Sequence, residues 1–593
     1  MSSLDALVKQ WLEWDHDPVT RAAVEALVAK NDTATLQSIL GSRMTFGTAG
    51  LRATMGPGNA HMNRLTVLQT AQGLAAYLRE KYSASELSRG IVIGFDGRHN
   101  SRVFAEMSAT VMHQQGLKTY LYRRCAPTPF VPYGVTHFKA LAGVMVTASH
   151  NPKEYNGFKV YAENGAQIVS PIDQAIAASI EAHLTPLPSS WAPFAEGDHI
   201  EPYDEVFASY FKTLQESYAP VGDATAVRFT YTAMHGVGTD FTTHALRHVL
   251  KIPEEHLSVV PDQARPDPDF PTIRFPNPEE GKTSLALSFV TADRNDASIV
   301  LANDPDADRL AVAERLPDGQ GWKCFTGNEL GTLLGWWAIE CARRRGAPLK
   351  KCLMLSTVVS SCVLRTMAVH EGVQYSETLT GFKFMGNVAM QREAAEGLEP
   401  IFAFEEAIGF MWGRRVMDKD GVTAATVMAD MACYLRTEKH RSLVEQLEAI
   451  YKKYGYHFTY NSYTTSDDPA KTGLLLEGIR TSEDGHYPTT VDGRKVTRVV
   501  DLVTQIDTAE PSGRSQHAKE PLITLYVEGG IRITIRGSGT EPKIKWYAEI
   551  VTEDPAGAEQ LNAFVAKAVE QLMQPKKFGL VMRPEDIAIF SKL

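Results

Sequence analysis

Three short apolar runs constrain this chain more than anything else in it: Val144-Met145-Val146, Ile299-Val300-Leu301 and Ile401-Phe402-Ala403, each discharging into a short polar or charged loop. Runs of this length read as buried strands, and strands buried on both faces belong to α/β sheets covered by helices. Ligands of such sheets bind in the loops beyond the strands' carboxyl ends. The pattern predicts similarly built α/β domains presenting those loops to one cleft, although the segments share no sequence repeat and any α/β protein shows some of it.

The first loop reads Thr147-Ala148-Ser149-His150-Asn151-Pro152. Pro152 forbids simple continuation of a regular element, so Ser149 sits in a loop, where serine is either a nucleophile or an ordinary turn residue. Tyr155-Asn156-Gly157-Phe158-Lys159-Val160-Tyr161 then reads as a hairpin-like return with Asn156-Gly157 in the turn, bringing Lys159 back toward Ser149. A lone strand lysine is otherwise commonly just solvated. Upstream, Phe46-Gly47-Thr48-Ala49-Gly50-Leu51-Arg52 joins glycines that permit a tight backbone to a forked donor suited to phosphate. A strand at 91–95 ends in Asp96-Gly97-Arg98, with Ser101 expected to cap the next helix. Residues 4–40 read as a helical packing arm, with Asp17-Pro18 opening one helix.

The second loop is Asn303-Asp304-Pro305-Asp306-Ala307-Asp308-Arg309. Alternate residues of an extended segment share a face, so the three carboxylates converge, and a hard divalent cation such as Mg2+ relieves their repulsion. An EF-hand competes for the pattern, but its sixth and twelfth positions are here Arg309 and Arg315 rather than glycine and glutamate. A haloacid-dehalogenase-type aspartate nucleophile is the other competitor; the threonine or valine expected beside its second aspartate is absent.

Two loops stand out in the third region, Thr380-Gly381-Phe382-Lys383 and Phe404-Glu405-Glu406-Ala407-Ile408-Gly409, although adjacent acids are usually solvent-facing charge. The tail alternates with a period of two through Ile531–Arg536 and continues Gly537-Ser538-Gly539-Thr540-Glu541-Pro542 into Lys543-Ile544-Lys545. Small residues flanked by Arg536 and Lys545 make either a phosphate cradle or a plain hairpin connection; the ending of a Walker loop is missing. Expected boundaries divide the chain into 1–220, 221–325, 326–455 and 456–593.

The net charge of −10 gives no electrostatic reason to expect nucleic acid or an anionic membrane, and any phosphate site must gather its basic groups locally. Six cysteines without paired spacing suggest neither zinc nor disulfides. The start lacks the basic flank and apolar core of a signal peptide, and no run approaches the roughly 18 apolar residues of a membrane span, so a cytoplasmic protein is expected.

Taken together and in this order, the segments from Phe46 onward resemble the α-D-phosphohexomutase superfamily. Thr-Phe-Gly-Thr-Ala-Gly-Leu-Arg, Thr-Gly-Phe-Lys and Phe-Glu-Glu-Ala-Ile-Gly are most similar to its phosphoglucomutase-2 and phosphopentomutase branch. The resemblance implies three α/β domains plus a C-terminal α+β lid domain around a central active-site cleft. It implies a phosphoserine at Ser149, Mg2+ held by Asp304, Asp306, Asp308 and a phosphoserine oxygen, and proton-handling and charge-stabilising roles for Lys159 and Arg52, with His150 nearby. Arg309, Thr380, Gly381 and Lys383 would line the substrate, Glu405 would grip sugar hydroxyls, and Arg536, Ser538, Gly539, Thr540 and Lys545 would hold the non-reacting phosphate. Arg52 and the metal are expected to disfavour the ammonium form of Lys159, making it a base near neutral pH.

The activity so implied is that of a phosphosugar mutase, moving a phosphoryl group between C1 and the terminal carbon of glucose or of ribose or deoxyribose, through a bisphosphorylated intermediate. Glucose 1,6-bisphosphate is the expected activator. A sugar-bisphosphate synthase is the alternative, and a catalytically silent phosphosugar-binding regulator the third reading. Where the wider family commonly has Glu-x-Ser, this chain has Glu405-Glu406-Ala407 and lacks a hydroxyl that could bond the sugar.

Overall fold

The computed structural model describes residues 3–48, 50–466, 468, 470–537 and 543–591. They fall into two compact units, Met1–Leu330 with Gly381–Leu443, and Gly331–Thr380 with Val444–Leu593.

In the first unit, β1 (Leu51–Thr54), β2 (Ile91–Phe95), β3 (Thr119–Leu121), β4 (Ala142–Val146) and β5 (Tyr155–Ala162) form a sheet in the order β1-β5-β4-β2-β3. β2 runs parallel to β3 and β4, whereas β5 is antiparallel to β4 and β1. Every residue of β2 and β4 is buried, as their unbroken apolar sequences require. The helix Arg64–Lys81 starts on a capping box at Asn63 and packs Val67, Leu68 and Leu74 into the same core as Ile91, Ile93, Val144 and Phe158.

A second sheet repeats the plan with β6 (Phe229–Thr232), β7 (Leu257–Val259), β8 (Ile299–Ala302), β9 (Ala311–Arg315) and β10 (Trp322–Cys324), in the order β10-β9-β8-β6-β7. Again one strand, β6, runs parallel to both of its neighbours, β7 and β8, and β9 turns back antiparallel to β8. The loops after β4 and β8 therefore occupy equivalent places, each between the middle strand of its sheet and the antiparallel strand that follows it. β11 (Cys352–Thr357) and β12 (Gln374–Thr378) pair in parallel in the second unit, whereas β13 (Glu399–Glu405) and β14 (Gly409–Trp412) form an antiparallel hairpin in the first.

The second unit also carries an antiparallel sheet including Tyr456–Thr465, Arg494–Asp501, Leu522–Val527, Ile531–Gly537 and Lys543–Thr552. Its apolar face packs on the helix Gly557–Met573 through Trp546, Ile550, Phe564 and Val565. The N-terminal arm is three helices, Leu4–Trp14, Pro18–Ala29 and Thr33–Leu40, gathered on Trp11, Val24 and Leu36. Asp17 caps the second of them by accepting from Val19 N at 3.0 Å.

Two local expectations are corrected. Asn156-Gly157 is not a turn: both residues lie inside β5, where a Cβ on Gly157 would stand 2.6 Å from Thr147 O and 2.8 Å from Leu51 O. The glycine is needed for close strand approach rather than for bending. Ser101 is the first residue of its helix, after Asn100, and turns its hydroxyl to Asp96 instead of capping. None of the six cysteines is disulfide-bonded, and among the described residues no helix is long and apolar enough to cross a membrane.

Candidate active site

The loop after β4 is shaped by polar groups beneath it. Thr147 Oγ1 donates to Asp96 Oδ2 at 2.6 Å and accepts from Ser149 N at 2.8 Å. Arg98, buried and paired with Asp96, donates to Ser149 O and Asn151 O, both at 2.5 Å, and to Pro152 O at 2.9 Å. One guanidinium thus satisfies three carbonyls that a tight loop turns inward. So held, Ser149 takes a left-handed φ of 55°, which costs a non-glycine residue about 1–2 kcal/mol. It is 2 % exposed, and its Oγ lies 3.0 Å from Asp304 Oδ2 and 3.2 Å from His150 Nδ1. Arg52 approaches the same loop, donating to Asn151 Oδ1 at 3.4 Å.

The loop after β8 is fixed by buried Asn303, which donates to Arg309 O at 2.6 Å and accepts from Tyr231 and Thr242, each at 2.8 Å. Asp304, Asp306 and Asp308 are all fully buried, with one oxygen of each within 4.8 Å of the others. Lys159 comes in from β5, its Nζ 2.8 Å from Asp306 Oδ2 and 2.9 Å from Asp308 Oδ2, and Thr128 donates to Asp306 Oδ2 at 2.6 Å. Burial, reinforced by Asp306 and Asp308, pushes the Asp304 carboxyl well above the ordinary range. Burial would raise Asp306 too, but Lys159 and Thr128 outweigh it and hold that carboxyl low.

Oδ1 of Asp306 and Oδ1 of Asp308 are buried without a hydrogen-bond partner among the described residues. Two orphaned carboxylate oxygens beside a third carboxylate and a serine hydroxyl are an all-oxygen donor set, which fits a hard divalent cation. The other grouping of ligand-type side chains, Cys362, His457 and Glu549 in the second unit, does not: Glu549 already accepts from Ser361 Oγ, Cys362 N and Arg532 Nε.

The third loop joins the second directly, Leu310 N donating to Ile408 O at 3.1 Å. Glu405, at the end of β13, is buried and pushed up to about 7 by burial, which Lys419 only partly offsets. Lys383 donates to Thr48 Oγ1, so the glycine-rich loop before β1 meets the loop opened by Gly381, whose φ of 113° favours glycine. Arg309 pairs with Glu279 at 3.4 Å and lies 3.9 Å from Asp308.

Sequence reasoning missed three groups here. Arg98 was visible only as part of a polar strand end, and Thr128 gave no signal. Lys419, in Val416-Met417-Asp418-Lys419-Asp420, looks like surface charge but is buried, its Nζ 3.5 Å from Asp308 Oδ2. Burial disfavours its charge, but Asp308, Asp418 and Glu405 outweigh that and hold it above the ordinary lysine value. No sequence signal marks it; in the fold Gly409 leaves room for its stem, since a Cβ there would stand 2.4 Å from Lys419 Cδ.

The protein's own groups act on Lys159 in the sense opposite to the expected cation: burial pulls the lysine down, but Asp306 and Asp308 outweigh it and hold it above its ordinary value. The sequence reading set a cation and Arg52 near this lysine and left out two carboxylates within hydrogen-bond reach. Of the remaining predicted residues, Thr380, Arg536 and Lys545 belong to the second unit. There Arg536 and Lys545 are register partners across an antiparallel pair, near the ends of their strands. Ser538, Gly539 and Thr540 lie outside the described residues.

The family descriptions phosphoglucomutase/phosphomannomutase, alpha/beta/alpha domains I, II and III match residues 43–186, 208–319 and 326–454. The chain is 44% identical to phosphopentomutase from Homo sapiens, over 97% of both chains. It is 40% identical to glucose 1,6-bisphosphate synthase from Homo sapiens, over 98% of this chain and 96% of that one. To phosphoribomutase from Saccharomyces cerevisiae it is 34% identical, over 100% and 98%. Among solved structures, parafusin (phosphoglucomutase) from Paramecium in its open form shares the fold, with a TM-score of 0.64 at 18% identity over 91% of this chain and 97% of that one.

Proposed function

This chain belongs to the phosphoglucomutase/phosphomannomutase family and is a phosphosugar mutase, and from that premise we propose that it interconverts pentose 1-phosphates and 5-phosphates, with glucose 1-phosphate and 6-phosphate as further substrates. The observation that carries the chemistry is Ser149 Oγ lying 3.0 Å from a buried aspartate triad with two unpartnered oxygens. Pentose use is supported by the relatives named phosphopentomutase and phosphoribomutase and by Ala407 standing in the sugar loop.

Ser149 carries the phosphoryl group. Three aspartates already face Lys159, Lys419 and Arg309, so a phosphoserine adds about −1.5 to −2 of charge that a divalent cation balances. Asp304, Asp306, Asp308 and a phosphoserine oxygen would hold Mg2+, which when bound neutralises phosphoryl charge during transfer. In the first half-reaction the P–Oγ bond breaks as a P–O bond to a sugar hydroxyl forms. Lys159 takes the hydroxyl proton, and His150, 3.2 Å from Ser149 Oγ, returns a proton to the serine. The bisphosphate then offers its other phosphoryl to Ser149 and both protons retrace their paths. Arg52 steadies the transferring charge; Arg309, Thr380, Gly381 and Lys383 line the sugar, and Glu405 binds its hydroxyls. Arg536, Ser538, Gly539, Thr540 and Lys545 clamp the distal phosphate. In this reading the segments 1–220, 221–325, 326–455 and 456–593 supply the serine, metal, sugar and phosphate loops in turn.

The enzyme works in the cytoplasm, a reading supported by six cysteines that form no disulfide. A sugar-bisphosphate synthase reading is favoured by the 40% identical relatives of that name. Following ribose 1-phosphate and glucose 1-phosphate side by side, with and without glucose 1,6-bisphosphate, tests both. Mutase turnover of the pentose that rises with the bisphosphate supports the first reading; bisphosphate accumulating from another phosphoryl donor supports the second. Ser149→Ala should be folded, unphosphorylated by intact mass spectrometry and inactive, and a turning-over alanine variant refutes the mechanism.

A further inference from the structure

Lys419 is held from two sides. Its Nζ lies 3.5 Å from Asp308 Oδ2 and 3.4 Å from Asp418 Oδ1. Asp418 is fully buried; its Oδ1 accepts from Lys419 N at 2.7 Å, and its Oδ2 accepts from Tyr161 OH and Gln167 Nε2, both at 3.0 Å. Tyr161 follows Lys159 by two along β5, so the two side chains leave the same face of the strand. Lys159 reaches Asp306 and Asp308 while Tyr161 reaches Asp418. The outcome is a continuous line, Asp306, Lys159, Asp308, Lys419, Asp418, Tyr161, in which carboxylates and ammonium groups alternate up to the phenol.

We propose that Asp418 is a positioning residue of the mutase reaction: anchored to the serine-bearing sheet by Tyr161 and Gln167, it fixes Lys419 against Asp308, so that Lys159 and Lys419 hold that carboxylate between them. A lysine on its four-carbon stem keeps considerable rotamer freedom, and Glu405 is close enough to act on Lys419 electrostatically. Released from Asp418, Lys419 turns toward Glu405, and Asp308 loses one of its two ammonium partners. The division of positive charge between the metal loop and the sugar loop therefore depends on a residue that makes its hydrogen bonds, among the described residues, to Tyr161, Gln167 and Lys419 and not to Ser149 or the triad.

The test rests on Ser149 and the triad being the reacting site, and Ser149→Ala is run beside it. Asp418→Asn keeps the shape and the acceptor for Lys419 N but removes the charge. On ribose 1-phosphate its kcat should fall about 10- to 100-fold with KM within a few-fold of wild type, the size expected for a partner that orients a site group. Its melting temperature should fall as well, because one partner of a buried ion pair is removed, so kcat is read at a temperature where the variant is folded. Tyr161→Phe, which leaves the Gln167 bond, should lower kcat in the same direction by less. A wild-type kcat in folded Asp418→Asn, or a loss of melting temperature alone, overturns the proposal. Should Asp418→Asn not fold, an unchanged kcat in Tyr161→Phe overturns it instead. Activity in Ser149→Ala refutes the reading of the site itself, whereas an inactive Ser149→Ala beside a fully active Asp418→Asn refutes only the role of Asp418.

Discussion

Replacing Arg98 with methionine keeps most of the apolar stem and removes a charged fork from beneath the serine loop. The guanidinium makes four bonds of 2.5, 2.5, 2.9 and 3.4 Å to Ser149 O, Asn151 O, Pro152 O and Tyr155 O, and it pairs with Asp96 at 3.3 Å. Charge-assisted bonds of this kind contribute about 1.5–3 kcal/mol each, so a simple sum overshoots what one substitution loses. Asp96 is not abandoned, because Ser101 Oγ and Thr147 Oγ1 still donate to it at 2.6 Å. The expected loss is therefore about 3–5 kcal/mol, the range for removing one partner of a buried ion pair. Turnover should fall as well. Ser149 is kept in a left-handed conformation by the bonds on its own carbonyl and its neighbours', and a displacement near 1 Å costs on the order of 100-fold in rate. Arg98→Lys keeps the charge but not the planar fork, and should fall between methionine and wild type in both properties. Urea denaturation followed by intrinsic fluorescence, with kcat on ribose 1-phosphate, measures both. Stability within about 1 kcal/mol of wild type in Arg98→Met, or a lysine variant identical to wild type, would show that the loop holds itself.

Asp306→Asn removes a buried charge that Lys159 and Thr128 now share and should abolish most turnover without unfolding; EDTA should do the same and Mg2+ restore it, whereas full activity after chelation would make the triad structural. Glu405, held at about 7 against an ordinary 4.5, keeps in the folded state a proton that the unfolded chain releases. Stability should therefore decline by about 3 kcal/mol as pH rises from about 4.5 to about 7 and level off beyond. Glu405→Gln should flatten that decline and melt higher than wild type near about pH 8 while losing turnover, and equal slopes in both proteins would refute the assignment. Ala407→Ser restores a hydroxyl to the turn between β13 and β14 and should shift the ratio of specificity constants toward hexose by about 1 kcal/mol; an unmoved ratio places discrimination elsewhere.

Much of the site was legible before any coordinates, because strand endings, turn residues and carboxylates spaced two apart are local properties of the chain. Thr147–Pro152 after an apolar strand and Glu405 at the end of a third strand follow from periods of two and from turn chemistry, whereas Asp304, Asp306 and Asp308 converge on a turn with Ala307 at a φ of 54° rather than on the extended segment their spacing suggests. The α/β class follows from the same runs. Local readings fail where one residue type serves two purposes: Asn156-Gly157 has turn composition, yet its glycine is required by strands crowding from both sides.

What only the tertiary structure decided is which distant groups face one another and in what charge state. Arg98 organises a loop 51 residues away, Lys159 meets carboxylates 147 and 149 residues away, and Tyr161 reaches Asp418 across 257. No short window of sequence contains such pairs, since they depend on the path of the backbone between them. The sign of the Lys159 shift turned on the same thing: composition offers a lysine, an arginine and three aspartates, but Coulomb energy depends on separation and burial, and only the fold sets two of those carboxylates within 3 Å of the ammonium.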